Sequence, residues 1–164
     1  MPFRRKKYAM IKYRRFQFGW VIVIIFLIVM VWMTFAYIYQ WGNNPVDTGG
    51  YIFFIALFSA ILSGFYGMTV TVTEKQIKIK LGIGFYTKTI ELSSIRSVDI
   101  RKCPVCYGYG IRIIPNGLLY SVSGRHAVEI KFRNKNRVTQ IGTNDWENLK
   151  NVISGNIPKK PNQP

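Results

Sequence analysis

Acidic residues are scarce in this sequence: seven Asp and Glu stand against 23 Lys and Arg, with one histidine and two cysteines among 164 residues. Each shortage removes a class of chemistry. Six of the acids (Glu74, Glu91, Asp99, Glu129, Asp145 and Glu147) are scattered along the chain beyond residue 73 and do not fall into an acid–base pair. A tetrahedral zinc site draws on four ligands, usually two Cys-x-x-Cys pairs. Here Cys103 and Cys106 form a single pair and His126 is the lone histidine, so a site requires a further group or a second chain. A redox pair belongs at a helix N-terminus, where the dipole lowers the thiol pKa, whereas "CPVCYGYGIR" lies between strand-like segments. No glycine-rich phosphate loop with its lysine occurs. The sequence therefore predicts a protein that is not an enzyme, with no metal and no cofactor. Thiol or metal chemistry through Cys103 and Cys106 is the minor alternative.

Charge is missing altogether from two long stretches. No Asp, Glu, Lys or Arg lies between Arg15 and Asp47, and "FGWVIVIIFLIVMVWMTFAYIY" (Phe18 to Tyr39) is almost wholly apolar. A bilayer core needs about 20 such residues as helix. A second run, "YIFFIALFSAILSGFYGM", follows from Tyr51 to Met68. A chain this small has too little protein to cover two apolar helices on all sides. The first run is too long for a secretory signal core, and no small-x-small cleavage site follows it. No ionisable residue interrupts either run, which argues against an ion or proton pathway. Residues 18–68 are thus expected to form a transmembrane hairpin.

The basic residues orient that hairpin. Arg4, Arg5, Lys6, Lys7, Lys12, Arg14 and Arg15 precede the first run, the connecting loop carries only Asp47, and Lys75, Lys78 and Lys80 follow the second. The positive-inside rule then predicts a multi-pass protein of the plasma (inner) membrane with both termini cytoplasmic. The net charge of +16 points to anionic inner-leaflet lipid and not to nucleic acid, because the leaflet is the nearest negative surface.

Beyond Thr69 the pattern alternates. Val70 and Val72, then Ile77, Ile79 and Leu81, recur at every second position, with "EK" between them as a turn, as half-buried antiparallel strands do. "YTKTIEL", "SVDIRK", "GIRIIP", "GLLYSV", "AVEIKF" and "VTQIG" continue the series, giving about seven short strands of a sandwich or partly open barrel. "NDWENLKNVI" then reads as a helix, with Asn144 as N-cap, Glu147 at capping-box spacing, and Trp146, Leu149, Val152 and Ile153 on one face. The sequence divides into a basic N-terminus (1–17), the hairpin (18–68), a β-rich cytoplasmic domain (69–155) and a disordered tail (156–164).

Strands followed by one amphipathic helix is the order of a pleckstrin-homology-like domain. "YGYGIR" (Tyr107 to Arg112), "LLYSVSGRHAVEI" (Leu118 to Ile130) and "IGTNDWENLKNVI" (Ile141 to Ile153) resemble the bacterial membrane proteins that join two transmembrane helices to such a domain. The resemblance implies fold and topology; that family mostly has no assigned activity, so it implies little about function.

Binding, then, is the expected work. Tyr107 and Tyr109, set between Gly108 and Gly110, form a loop able to dip into headgroups or dock a partner; a bulged turn packed on the core is the plainer reading. Ser123, Gly124 and Arg125, with Arg112 on a neighbouring strand, offer a grip for a phosphate or carboxylate, against a solvated turn. Lys78 and Lys80, with Lys88 on the facing strand, are expected to form a basic face toward the leaflet. Ser59, Ser63 and Gly67, and Ala60 and Gly64, recur every four residues, a spacing that lets helices approach closely; packing on the first helix and self-association both fit. The expected function is a membrane-anchored binding or assembly module, with an accessory subunit of a larger membrane complex, or a homo-oligomer, as the alternative.

Overall fold

A computed structural model describes residues 10–102, 110–122 and 124–158. The first element is a strand, β1 (Ile11–Phe18), followed by two helices, α1 (Trp20–Ile38) and α2 (Thr48–Phe65). Strands β2 (Gly67–Thr73), β3 (Gln76–Leu81) and β4 (Tyr86–Glu91) come next, then β5 (Ile95–Lys102), β6 (Gly110–Ile114), β7 (Gly117–Ser121), β8 (His126–Phe132) and β9 (Val138–Gly142). Helix α3 (Trp146–Asn156) ends the series.

Two sheets result. The first has the order β1-β2-β3-β4 and is antiparallel throughout; the second has the order β5-β8-β9-β7-β6, with β7 and β9 parallel. Neither closes into a barrel. Period-2 alternation sends Val70, Val72, Ile77, Ile79 and Leu81 inward from the first sheet and Val98, Val128, Ile130 and Ile141 inward from the second. Leu149 and Ile153 of α3 join that core, and α3 rests on β5, β8 and β1, the side where the two sheets lie open. Tyr86 and Tyr120 join the sheets elsewhere through a 3.1 Å hydroxyl contact. Burial and the Tyr86 hydroxyl both raise the Tyr120 pKa.

Helix α1 has no buried residue and α2 only Gly64. Both are long and apolar enough to cross a membrane, and their large side chains lie open to the surroundings. They touch each other through aromatic and hydroxyl groups: Tyr37 stacks on Tyr51 at 4.4 Å, Phe26 meets Phe58 at 5.4 Å, and Thr34 reaches the Tyr51 hydroxyl at 3.2 Å. The expectation that the small-residue stripe of α2 packs on α1 is not met. Ser59 and Ala60 are exposed, Gly67 belongs to β2, and Gly64 is covered by Phe85 from the β3–β4 turn.

Strand β1 falls in the segment read as a basic N-terminus. It pairs with β2 from Ile11↔Thr73 to Phe18↔Gly67, and Gly19 N–H donates to Tyr66 C=O at 2.8 Å, one rung further on. The helix pair is therefore an insertion at the closed end of a β-hairpin, attached at both ends without a linker. Phe16, Phe18, Trp20 and Tyr66 form an aromatic cluster around the two attachments.

Helix α3 departs from its expected cap. Its N-cap is Asp145, not Asn144, and no side chain caps the first turn. The Asp145 carboxylate instead accepts from the Tyr13 hydroxyl at 3.1 Å and from Asn148 at 2.7 Å, and lies 3.5 Å from Arg15. Those contacts fasten β1 to the helix.

Candidate functional site

The described residues singled out on the second sheet fall at two places, on β6 and just before β8, with β7 and β9 between these strands, so Arg112 is not on a strand neighbouring Arg125 as expected. Gly110 and Arg112 lie on β6, the edge strand, where Gly110 pairs with Ser121 and Arg112 with Leu119. Beside them a groove of about 570 Å3 is lined by Ile22 and Phe26 of α1, Phe65 of α2, and Gly110, Ile111, Arg112 and Ile113. Its lining side chains are apolar except for that of Arg112, which is exposed. An apolar channel carrying one cation suits an amphiphile with an anionic head, since Arg binds phosphate or carboxylate bidentately while its stem lies on apolar surface.

Gly124 and Arg125 occupy the β7–β8 turn. Val122, two residues earlier, lies where a Cβ on Gly19 would meet it at 3.5 Å, which sets this turn near the start of α1. Gly124 holds φ +102, and a Cβ there would stand 2.9 Å from the Thr143 carbonyl carbon. Only glycine makes that approach without strain. Arg125 is exposed, and His126 packs on the Trp146 ring at 5.3 Å. Among the described residues neither Arg112 nor Arg125 is in an ion pair. Tyr107, Gly108, Tyr109 and Ser123, like Cys103 and Cys106, lie outside the described residues. Within the described residues no three His, Cys, Asp or Glu side chains group as a metal site.

The basic face differs from its expected composition. Opposed residues of an antiparallel pair share a face, and Lys88 lies opposite Ile79, a core residue. That register turns Lys88 away from Lys78 and Lys80. Lys88 lines a second cleft instead, of about 970 Å3, together with Ile90, Leu118, Phe132, Lys135 and Arg137. Arg14 takes its place on the outer face: one row reads Arg14–Thr71–Lys78–Thr89 and the next Phe16–Thr69–Lys80–Thr87. Among the described residues no acid pairs with Arg14, Lys78 or Lys80. Arg14 was not identified as part of this face from sequence because β1 was not; its signal is the phase it shares with Phe16 once the strand is recognised.

The outer face of the second sheet is the opposite case, because its bases are matched by acids. Lys131 binds Asp99 at 2.7 Å and lies 3.7 Å from Glu129, Arg101 lies 3.5 Å from Glu129, and Gln140 donates to Glu129 at 2.8 Å. The Lys131 hydrogen bond holds the Asp99 carboxyl below its usual range, and Asp99 in turn raises the Lys131 pKa. Among the described residues Arg14, Lys78 and Lys80 on the first sheet are therefore without an acid partner, as are Arg96, Arg133, Lys135 and Arg137 around the β8–β9 loop. The chain matches no protein-family model and no curated protein.

Proposed function

We propose that this protein is a non-catalytic, membrane-anchored module in which α1 and α2 cross the plasma (inner) membrane and hold a pleckstrin-homology-like sandwich against anionic lipid of the inner leaflet. One observation carries the reading: Arg112, beside the apolar groove, and the acid-free outer face that carries Arg14, Lys78 and Lys80 stand close to the ends of two exposed apolar helices joined to the sheet without a linker. Lys80 is two residues from Gly82, which abuts the end of α2, so it sits about 7 Å along the strand from the helices. Headgroups occupy roughly 5–7 Å on each side of the hydrocarbon. Lys78 and Arg14, two residues further along, are still within about one Debye length of that layer. Covalent anchoring keeps the local lipid concentration high, so weak contacts suffice. Both termini are cytoplasmic in this reading. In this reading the four-stranded first sheet, the five-stranded second sheet and the C-terminal helix make up the pleckstrin-homology-like sandwich, with the transmembrane pair set between β1 and β2.

Native mass spectrometry of the full chain released from mixed phosphatidylglycerol and phosphatidylethanolamine bilayers tests this. Retained phosphatidylglycerol is expected to fall several-fold in Arg112→Glu, and further when Lys78 and Lys80 are also reversed. Equal retention of both lipids, unchanged by these substitutions, contradicts it.

The exposure of Ser59 and Ala60 on α2 favours a second reading, an accessory subunit or homo-oligomer joined through that helix. Ala60→Leu is then expected to dissociate a stoichiometric complex in gentle detergent.

A further inference from the structure

The β3–β4 turn, Gly82-Ile83-Gly84-Phe85, contains no polar side chain. Hairpin turns in water favour Asn, Asp and Gly. Here both residues that carry side chains are large and apolar, and both are open: Ile83 is 69% and Phe85 74% exposed. The turn is nonetheless rigidly seated. Gly82 N–H donates to Gly67 C=O at 2.7 Å, and Ile83 N–H to Ser63 C=O at 3.3 Å. Gly82 adopts φ +55 with the carbonyls of Ser63 and Gly64 filling the space of a Cβ, and the Phe85 ring lies 3.7 Å from where a Gly64 Cβ would be. The turn is therefore packed on the last turn of α2. On the second sheet Ile113 is 89% exposed, beside Ile22, Phe26 and Phe65.

We propose that Ile83, Phe85 and Ile113 are embedded in the acyl–headgroup boundary of the leaflet from which α1 and α2 emerge, forming an apolar collar around the helix pair. The inference rests on the membrane-crossing reading of the helices and extends it to the sheets. Continuity selects lipid as the occupant: the exposed side chains adjoin helix surface that is itself apolar and uncovered, and no charged residue occurs in the turn. Lys80 and Lys88 flank it in the sequence, and long lysine side chains can reach headgroups from such positions. Exposed apolar surface of this kind marks an interaction site. Two crossing helices and a collar on both sheets leave the sandwich one orientation toward the bilayer.

Spin labels on full chains carrying Cys103→Ser and Cys106→Ser test the collar in phosphatidylglycerol-containing bilayers. Labels are introduced singly by Ile83→Cys, Ile113→Cys, Val31→Cys in the middle of α1 and Lys75→Cys on the distal β2–β3 turn. Relaxation by oxygen, which concentrates in lipid, is compared with relaxation by a water-soluble nickel chelate. The collar predicts that positions 83 and 113 follow position 31, with oxygen dominant, and differ from position 75. Nickel dominance at 83 and 113 with oxygen dominance at 31 overturns the collar alone. Weak relaxation by both reagents at 83 and 113 also overturns it, in favour of cover by protein. Nickel dominance at 31 removes the membrane-crossing reading and the collar with it.

Discussion

Asp145 joins segments that lie far apart in the chain. It accepts from Tyr13, pairs with Arg15 and binds Asn148, so one carboxylate ties the N-terminal strand to the C-terminal helix. The capping box expected at Asn144 and Glu147 is forgone because the cap position is occupied by this cross-chain role, which no local spacing announces. Burial, reinforced by the neighbouring carboxylate, pushes the Tyr13 pKa up to about 12, against about 10 in an unfolded chain. A raised pKa means that the folded state holds the proton more tightly. The stabilisation is therefore complete below pH about 10 and disappears as pH rises through about 12. Tyr13→Phe is expected to cost about 1 kcal/mol and to flatten the alkaline limb of a thermal-unfolding profile. An unchanged alkaline limb would mean that the contact carries no linkage. Lys88 teaches a related lesson: its face follows from the phase it shares with buried Ile90, and the register opposite Ile79 agrees.

Elements were legible where burial follows period 2. β3 and the middle of β2 alternate as they should, whereas β8 is buried continuously from Ala127 to Ile130; the turns at Glu74-Lys75, at Gly82 and at Asn116 fall where the sequence signals them. β1 was illegible for a physical reason. Its inward phase is Tyr13, Arg15 and Gln17, and its outward phase includes Phe16 and Phe18, the reverse of the usual pattern, because an edge strand under α3 meets a carboxylate and its outer side meets the helix junction. The stripe on α2 misled similarly, since small residues admit any close neighbour and Gly64 admits a phenyl ring from a turn. Two predictions belong at this scale. Leu149→Ala empties a fully buried position between α3 and both sheets and is expected to cost about 2–5 kcal/mol, read as a lowered unfolding temperature. Gly82→Val forces a β-branched residue into left-handed backbone against two carbonyls. It is expected to cost about 1–3 kcal/mol and to abolish the hydrogen-exchange protection of the Ile83 amide. Retained protection would show that the turn is held by something other than α2.

At the scale of the molecule, the helix pair and the sandwich behave as one body because the helices replace the loop of a hairpin. Any rotation of α1 against α2 must be taken up by the β1–β2 ladder, which continues to within one residue of both helices. Sequence alone showed two apolar runs and a β-rich remainder, but it separated them into successive domains, since a strand pair closed by 48 intervening residues leaves no local trace. The charge distribution follows the same division. Matched charges cover the second sheet's outer face, and among the described residues unmatched cations stand on the first sheet, at the groove and around the β8–β9 loop. The central claim is that the helices cross a bilayer with the sheets on its cytoplasmic side. Its most direct test is labelling by a membrane-impermeant maleimide in sealed, right-side-out vesicles, using chains with Cys103→Ser and Cys106→Ser plus either Asn44→Cys between the helices or Lys75→Cys on the sheet. The account predicts that position 44 is labelled at once and position 75 only after the vesicles are opened. Labelling of position 75 in sealed vesicles, or protection of position 44, would contradict it.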